Sequence, residues 1–400
     1  MKKIGLVILG MGVLLIGIFS FDKEENRVLV EEKLNNQNTS LVFMLEDKEG
    51  NYNISEDIPS GYSLNTSKSV CSNNTIPTWE DHKLYLNNLN KKGTSCYLYF
   101  DLMGAKDLIL SNSQVNEGTP DFSKTATTDE GIYKAEDDWG ESYYFRGAVN
   151  NNWVKFAGYY WRIIRINGDG SIRLIYNGTS TATTGENTMI NAYQVFNSNY
   201  NRSEYVGYMY TGGEQHGNAT NSAIKEILDT WYSNNLKSYT DQISTEAGFC
   251  GDRNLMNGLW NSTSSDHYYV AYERLYNDKI PTLKCNNSND LYTTSSSSKG
   301  NKALSNPIGL ITADEVATAG GVYGSSNSSY YLYTGHYYWT MTAFNYKSDA
   351  RVFNVWSDGN LVDNGVDGMR GVRPVINLAS DVTLSGTGTA SDPYVVEGAE

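Results

Sequence analysis

The sequence predicts an α+β, β-rich exported protein with an N-terminal apolar helix, a small β module and a larger, loop-rich domain carrying a few short helices. Three observations predict it. The chain opens with Lys2 and Lys3 ahead of an uncharged, apolar run of 18 residues, Ile4 to Phe21. It holds 31 Tyr and 8 Trp among abundant Asn, Ser, Thr and Gly, a composition that packs β-sheets with amphipathic rings and joins them by polar turns. Its 400 residues exceed the roughly 250–300 at which a single core stops growing, so two folded units are expected.

The apolar run is longer than a signal-peptide core of about 7–15 residues and reaches the lower end of a spanning helix. It ends in Gly17, Ile18, Phe19 and Ser20, so a bulky Ile stands three residues before a cut after Ser20. A retained anchor helix over 1–21 is therefore expected, with a cleaved signal peptide as the alternative. Two lysines before the run and an acidic excess after it place everything from Asp22 onward outside. The expected location is the extracellular face of the plasma membrane, or the medium. Residues 22–38 are charged and Asn-rich without periodicity, and read as a polar stalk.

Against 31 basic side chains stand 45 acidic ones, a formal net charge of -14. Such a field repels phosphate backbones, which argues against nucleic acid as a partner. The partners left are the membrane, through the N-terminal helix, and an extracellular glycan or protein. Cys71, Cys96, Cys250 and Cys285 stand in an exported context that permits disulfides. Of three pairings, Cys71 with Cys96 and Cys250 with Cys285 keeps each bridge within one module. Zinc is not expected: there is no Cys-x-x-Cys, and His82, His216, His267 and His336 lack ligand spacing.

Within 39–104, strands are predicted at Leu41–Leu45, Tyr52–Ile54, Tyr62–Asn65 and Ser95–Asp101, with Trp79, Leu84, Leu86 and Leu89 for a core. Within 105–380, strands follow at Trp153–Phe156, Tyr159–Ile166 and Ser171–Tyr176. The last two are joined by Asn167-Gly-Asp-Gly170, a strong hairpin signal. Ile224, Ile227, Leu228 and Trp231 outline an amphipathic helix after Asn221 and Ser222. A shorter helix fits Ala313–Ala319, opened by the capping pattern Thr312-x-x-Glu315 and closed by Gly320 and Gly321. The stretches 286–300 and 321–329 read as exposed loops. Ala350–Trp356, a turn at Asp358 and Gly359, and Gly371–Leu378 complete the domain, Pro374 placing its strand at an edge or bulge. Residues 381–400 read as a tail.

Four stretches, 122–130 (FSKTATTDE), 160–168 (YWRIIRING), 307–315 (PIGLITADE) and 371–378 (GVRPVINL), resemble a family of uncharacterised surface proteins of gut-type Gram-positive bacteria. The resemblance covers roughly residues 105–396. More remotely, the Trp-bearing hairpin, central helix, loops and Gly-Val-Arg-Pro strand resemble the C-type-lectin-like fold, including its formylglycine-generating-enzyme branch. The oxidase chemistry of that branch is not implied, because no Cys follows Cys285. Neither is lectin-type sugar binding through calcium, because Glu-Pro-Asn, Gln-Pro-Asp and Trp-Asn-Asp are missing.

Candidate functional residues fall in three groups. Glu130, Glu136, Asp137, Asp138 and Glu141 around Trp139 could supply paired carboxylates beside a sugar-stacking ring, although a solvated turn is the expectation for an acidic run. Asp358, Asp363 and Asp367, with Asn360 and Asn364, offer oxygen ligands among glycines, which makes calcium the one metal worth considering. Hairpin chemistry explains those glycines as well. Tyr333, His336, Tyr337, Trp339, Phe344 and Trp356 are the candidate ligand-binding rings, in a stretch that also holds Tyr330, Tyr331 and Tyr338. No Gly-x-Ser-x-Gly elbow is present, and no catalytic residues are assigned. The expected function is non-enzymatic binding or adhesion at the cell surface. The alternatives are a carbohydrate-active hydrolase using the acidic residues near Trp139 and a structural envelope subunit.

Overall fold

The computed structural model describes residues 3–4, 17–19, 27–32, 39–80, 82–89, 93–263 and 266–399. Lys3–Ile4, Gly17–Phe19 and Glu31–Glu32 are described as short paired strands, by their backbone alone. The rest of the expected apolar helix over 1–21 lies outside the described residues, and what is described of it is extended. Among the described residues no helix is long and apolar enough to cross a membrane. The fold is β-rich with short helices, in two compact units, Met1–Gly104 and Ala105–Glu400.

In the smaller unit, Thr39–Glu46 and Thr94–Leu102 pair in parallel at the centre of a sheet that Tyr52–Ser55, Tyr62–Leu64 and Val70–Cys71 complete. Strand alternation sends Leu41 and Phe43 from one, and Cys96, Leu98 and Phe100 from the other, into a common core. A hairpin of Ile76–Glu80 and Lys83–Asn87 adds Leu84 and Leu86. Arg27–Leu29, expected as stalk, pairs with Lys83–Asn87 and buries Val28 in that core. Val30 packs against the same core, and flanking charges hide so short an apolar run from a pattern reading. Cys71 and Cys96 are register partners and form a disulfide.

In the larger unit, the first sheet runs Val115–Asn116, Asp129–Asp137, Gly140–Gly147, Tyr159–Ile166, Trp153–Phe156, Tyr394–Val396 and Leu384–Ser385. Ile172–Tyr176 also pairs with Tyr159–Ile166, through a turn closed by Gly170 N–H donating to the Asn167 carbonyl at 2.9 Å. Gly170 has φ +85°, a conformation glycine adopts without strain. The stretch 381–400 is not a free tail: Tyr394 and Val396 are buried, and their strand pairs with Trp153–Phe156.

The second sheet runs Asn191–Gln194, Arg370–Val372, Tyr338–Tyr346, Ala350–Val355 and Leu361–Gly365, with His267–Tyr268 also on Tyr338–Tyr346. Between Arg370–Val372 and Val375–Leu378 the chain passes from the second sheet to the first. Pro374 stands at that junction, where no ladder N–H is required.

Ala223–Asn235 is capped by Ser222, whose Oγ accepts from Lys225 N–H. Ala313–Thr318 carries the complete capping box of Thr312 and Glu315. The stretch 286–300, read as an exposed loop, contains the strand Leu291–Tyr292, which pairs with Phe249–Cys250 and buries Asp290 and Tyr292. Asp290 is polar enough to pass for loop, but its carboxylate meets the buried Arg253 at 2.8 Å. Cys250 and Cys285 form the second disulfide. Two disulfides are consistent with an extracellular setting.

Candidate functional site

The acidic residues around Trp139 are dispersed by the Asp129–Asp137/Gly140–Gly147 hairpin. Glu130 pairs with Arg146 at 2.7 Å, Glu136 with Lys284 at 2.5 Å, and Glu141 accepts from Tyr143. Of the five, Asp138 alone lines a cleft. Asp137 is not on a solvated turn: it is 2 % exposed, pairs with Arg165, and accepts from the N–H groups of Trp139 at 2.8 Å and Gly168 at 3.0 Å. Asp138 accepts from Cys285 N–H at 3.1 Å; burial raises its pKa against that bond.

Glu315 faces the same cleft. Its Oε1 receives Arg165 at 3.0 Å and Arg173 at 2.5 Å, while Oε2 accepts from Thr312 N–H at 2.9 Å. Burial opposes its charge, but the two guanidinium groups outweigh burial and hold the carboxyl below its ordinary value. Arg274 bridges Asp252 at 2.6 Å and Asp314 at 2.7 Å. The cleft among these groups has a volume of about 20 Å³, room for a bound water.

The calcium candidates are also dispersed. Asp358 accepts from Ser326 Oγ at 2.5 Å and Asn360 N–H at 3.0 Å, Asp363 accepts from Arg351 and Tyr323, each at 2.7 Å, and Asp367 is exposed. The hairpin Ala350–Val355/Leu361–Gly365 spreads them along its length. Among the described residues no group of three or more His, Cys, Asp or Glu side chains is arranged to hold a metal ion.

The ring candidates divide sharply. Every residue of Tyr338–Tyr346 is buried, so strand alternation exposes none of its rings. Trp339 packs on Phe196 at 5.9 Å and donates Nε1 to the Gln194 carbonyl at 2.7 Å; Phe344 lies among Tyr268, Tyr272, Tyr323 and Phe353. These two are core and not ligand-binding surface. Tyr333 is exposed but stacks on none of the other candidates.

His336, Tyr337 and Trp356 do come together, joined by Tyr193, Arg370 and Glu186, which sequence reasoning missed. Ring centroids are 5.6 Å apart for Tyr193–His336, 4.3 Å for His336–Tyr337 and 5.7 Å for Tyr337–Trp356. The Arg370 guanidinium lies 4.7 Å from the Tyr337 ring and 4.9 Å from that of Trp356. Tyr193 is 49 % exposed and Trp356 40 %. Sheet register builds this array: Tyr338 pairs with Val355 and with Gly371, and Arg370 pairs with Gln194, so four strand ends converge at one edge. His336 Nδ1 donates to the Tyr337 carbonyl at 3.0 Å, and its Nε2 lies 3.4 Å from Glu186, which also accepts from Tyr193. The signal was not local, because Tyr193 and Arg370 stand far from residues 336–356 in sequence.

No family model, curated protein or solved structure matches the chain.

Proposed function

We propose that the chain is a cell-surface or secreted, non-enzymatic binding protein. Its larger unit is a C-type-lectin-like head that takes an extracellular glycan or protein on the edge formed by Trp356, Tyr337, His336 and Tyr193. The observation that carries this reading is the solvent-facing ring array itself. Rings give large contact area with little rotamer freedom to lose, and stacking on Arg370 holds two of them in place before a ligand arrives. The resemblance to Gram-positive surface proteins, the two disulfides and the apolar N-terminal run support display outside the membrane.

A hydrolase at the acidic cleft has less support, since Asp137 is buried and committed to Arg165, which leaves Asp138 as the one carboxylate of the run on the cleft. An envelope subunit would self-associate in solution, which size-exclusion chromatography over a concentration range detects.

The direct test is a glycan and host-protein array probed with the full chain in mild detergent. Binding that Trp356→Ala abolishes without loss of melting temperature supports the reading. Turnover of a labelled polysaccharide that is lost in Asp138→Asn, with no ligand retained on any array, overturns it.

A further inference from the structure

We infer that the ring array takes an acidic glycan, the carboxylate of a uronic or sialic acid seating on Arg370. The inference rests on the binding reading above and names its ligand class.

Among the described residues, the other arginines that reach solvent each meet a carboxylate: Arg27 with Glu80, Arg202 with Glu204, Arg274 with Asp252 and Asp314, and Arg351 with Asp349 and Asp363. Arg162 and Arg373 lack one, but both are buried and spend their donors on carbonyl and amide oxygens of Val149, Asn152, Tyr176, Leu332 and Asn177. Arg370 is partly exposed and makes one hydrogen bond, from Nη1 to the Met369 carbonyl at 2.7 Å. Its Nε is buried and has no hydrogen-bond partner, so a ligand carboxylate would meet the Nη end of the fork.

A chain of net charge -14 thus leaves this cation without an anion and clamps it between two rings. A guanidinium fork matches a carboxylate in two parallel hydrogen bonds, and fixing the fork beforehand lowers the ordering cost of binding. The rings beside it offer flat faces to the C–H faces of a pyranose. At the other end of the array, Glu186 is an acceptor, already receiving Tyr193 and facing His336. A neighbouring sugar hydroxyl or amide N–H suits that end. Cation and anion at opposite ends give the site a polarity that an acidic sugar followed by a neutral one would satisfy.

The test uses the full chain in mild detergent and three immobilised polymers, hyaluronan, polygalacturonate and polysialic acid, each beside its carboxyl-reduced form. At least one acidic polymer is expected to bind, with carboxyl reduction weakening it about tenfold or more. Arg370→Gln should bring the acidic polymer down to the level of its reduced form, with an unchanged melting temperature. Arg370→Lys should restore part of the difference, since a point charge lacks the fork. Equal affinity for acidic and reduced forms, no binding to any of the three acidic polymers, or indifference to Arg370→Gln overturns the inference. Where a neutral glycan or a protein still binds and Trp356→Ala still removes it, the general binding reading survives that failure.

Discussion

Arg165 and Glu315 lie 150 positions apart in sequence, and the guanidinium Nε of one donates to the carboxylate of the other at 3.0 Å. The same carboxylate closes the capping box of its own helix through Thr312 N–H. One buried side chain therefore ties the start of Ala313–Thr318 to the strand Tyr159–Ile166.

Glu315→Gln should be strongly destabilising. An amide of nearly the same shape leaves Arg165 and Arg173 buried with Asp137 as the remaining anion of the cluster. Removing one member of a buried pair costs about 3–5 kcal/mol. The measurement is the urea midpoint of the larger unit, and a loss below about 1 kcal/mol would show that the pair contributes no more than a surface ion pair.

Glu315 and Asp290 also set the acid limit. Both carboxyls are held below their ordinary values against the opposing effect of burial, Glu315 by Arg173 and Arg165 and Asp290 by Arg253 and His216. A depressed folded pKa contributes stability that is present above the unfolded values, about 4.3 for Glu and 3.9 for Asp. That stability is lost as pH falls through the lower folded values. Asp138 and Asp252 work the other way, since burial raises their pKa and their protonation at low pH favours the fold. Urea unfolding at constant ionic strength between pH 7 and about pH 3 should show the gap between the native chain and Glu315→Gln narrowing toward acid. A constant gap would sink the assignment.

Replacing Cys71 and Cys96 together by Ser should lower the unfolding midpoint of the smaller unit. The bridge spans 25 positions, and loop-closure entropy for that length is worth about 3–4 kcal/mol. The unit's core is small, built around residues such as Phe43, Leu98 and Phe100, so little else compensates. Limited proteolysis of residues 39–104 is the readout. Cleavage as slow as in the native chain would mean that the bridge adds nothing.

Local chemistry was legible and register was not. The turn at Asn167–Gly170 and the cap at Thr312 depend on residues within four positions of each other, and both form as read. Asp137, between Glu136 and Asp138, has the sequence signature of one charge in a solvated run. Its burial is compensated by Arg165, two strands away across Gly140–Gly147, and by the N–H groups of Trp139 and Gly168. Glu315 was legible as a cap but not as the counter-ion of two arginines, since that role depends on how the first sheet meets the helix. Tyr193 and Arg370 could not be assigned to the ring array, because their place follows from the pairing of Asn191–Gln194 with Arg370–Val372.

Trp339 and Trp356 stand on paired strands or at their ends, yet truncation should separate them by readout. Trp339 is 0 % exposed and its indole N–H is spent on the Gln194 carbonyl. Trp339→Ala should therefore cost about 3–5 kcal/mol, from lost burial and the cavity left behind, and should reduce ligand binding only as far as it unfolds the protein. Trp356 is 40 % exposed, and its principal contacts are Arg370 and Tyr337. Trp356→Ala should change stability by less than about 1 kcal/mol while removing ligand binding. Thermal melts paired with array binding decide between these outcomes. A Trp356→Ala protein that melts normally and retains every ligand would move the binding surface away from this edge of the sheet.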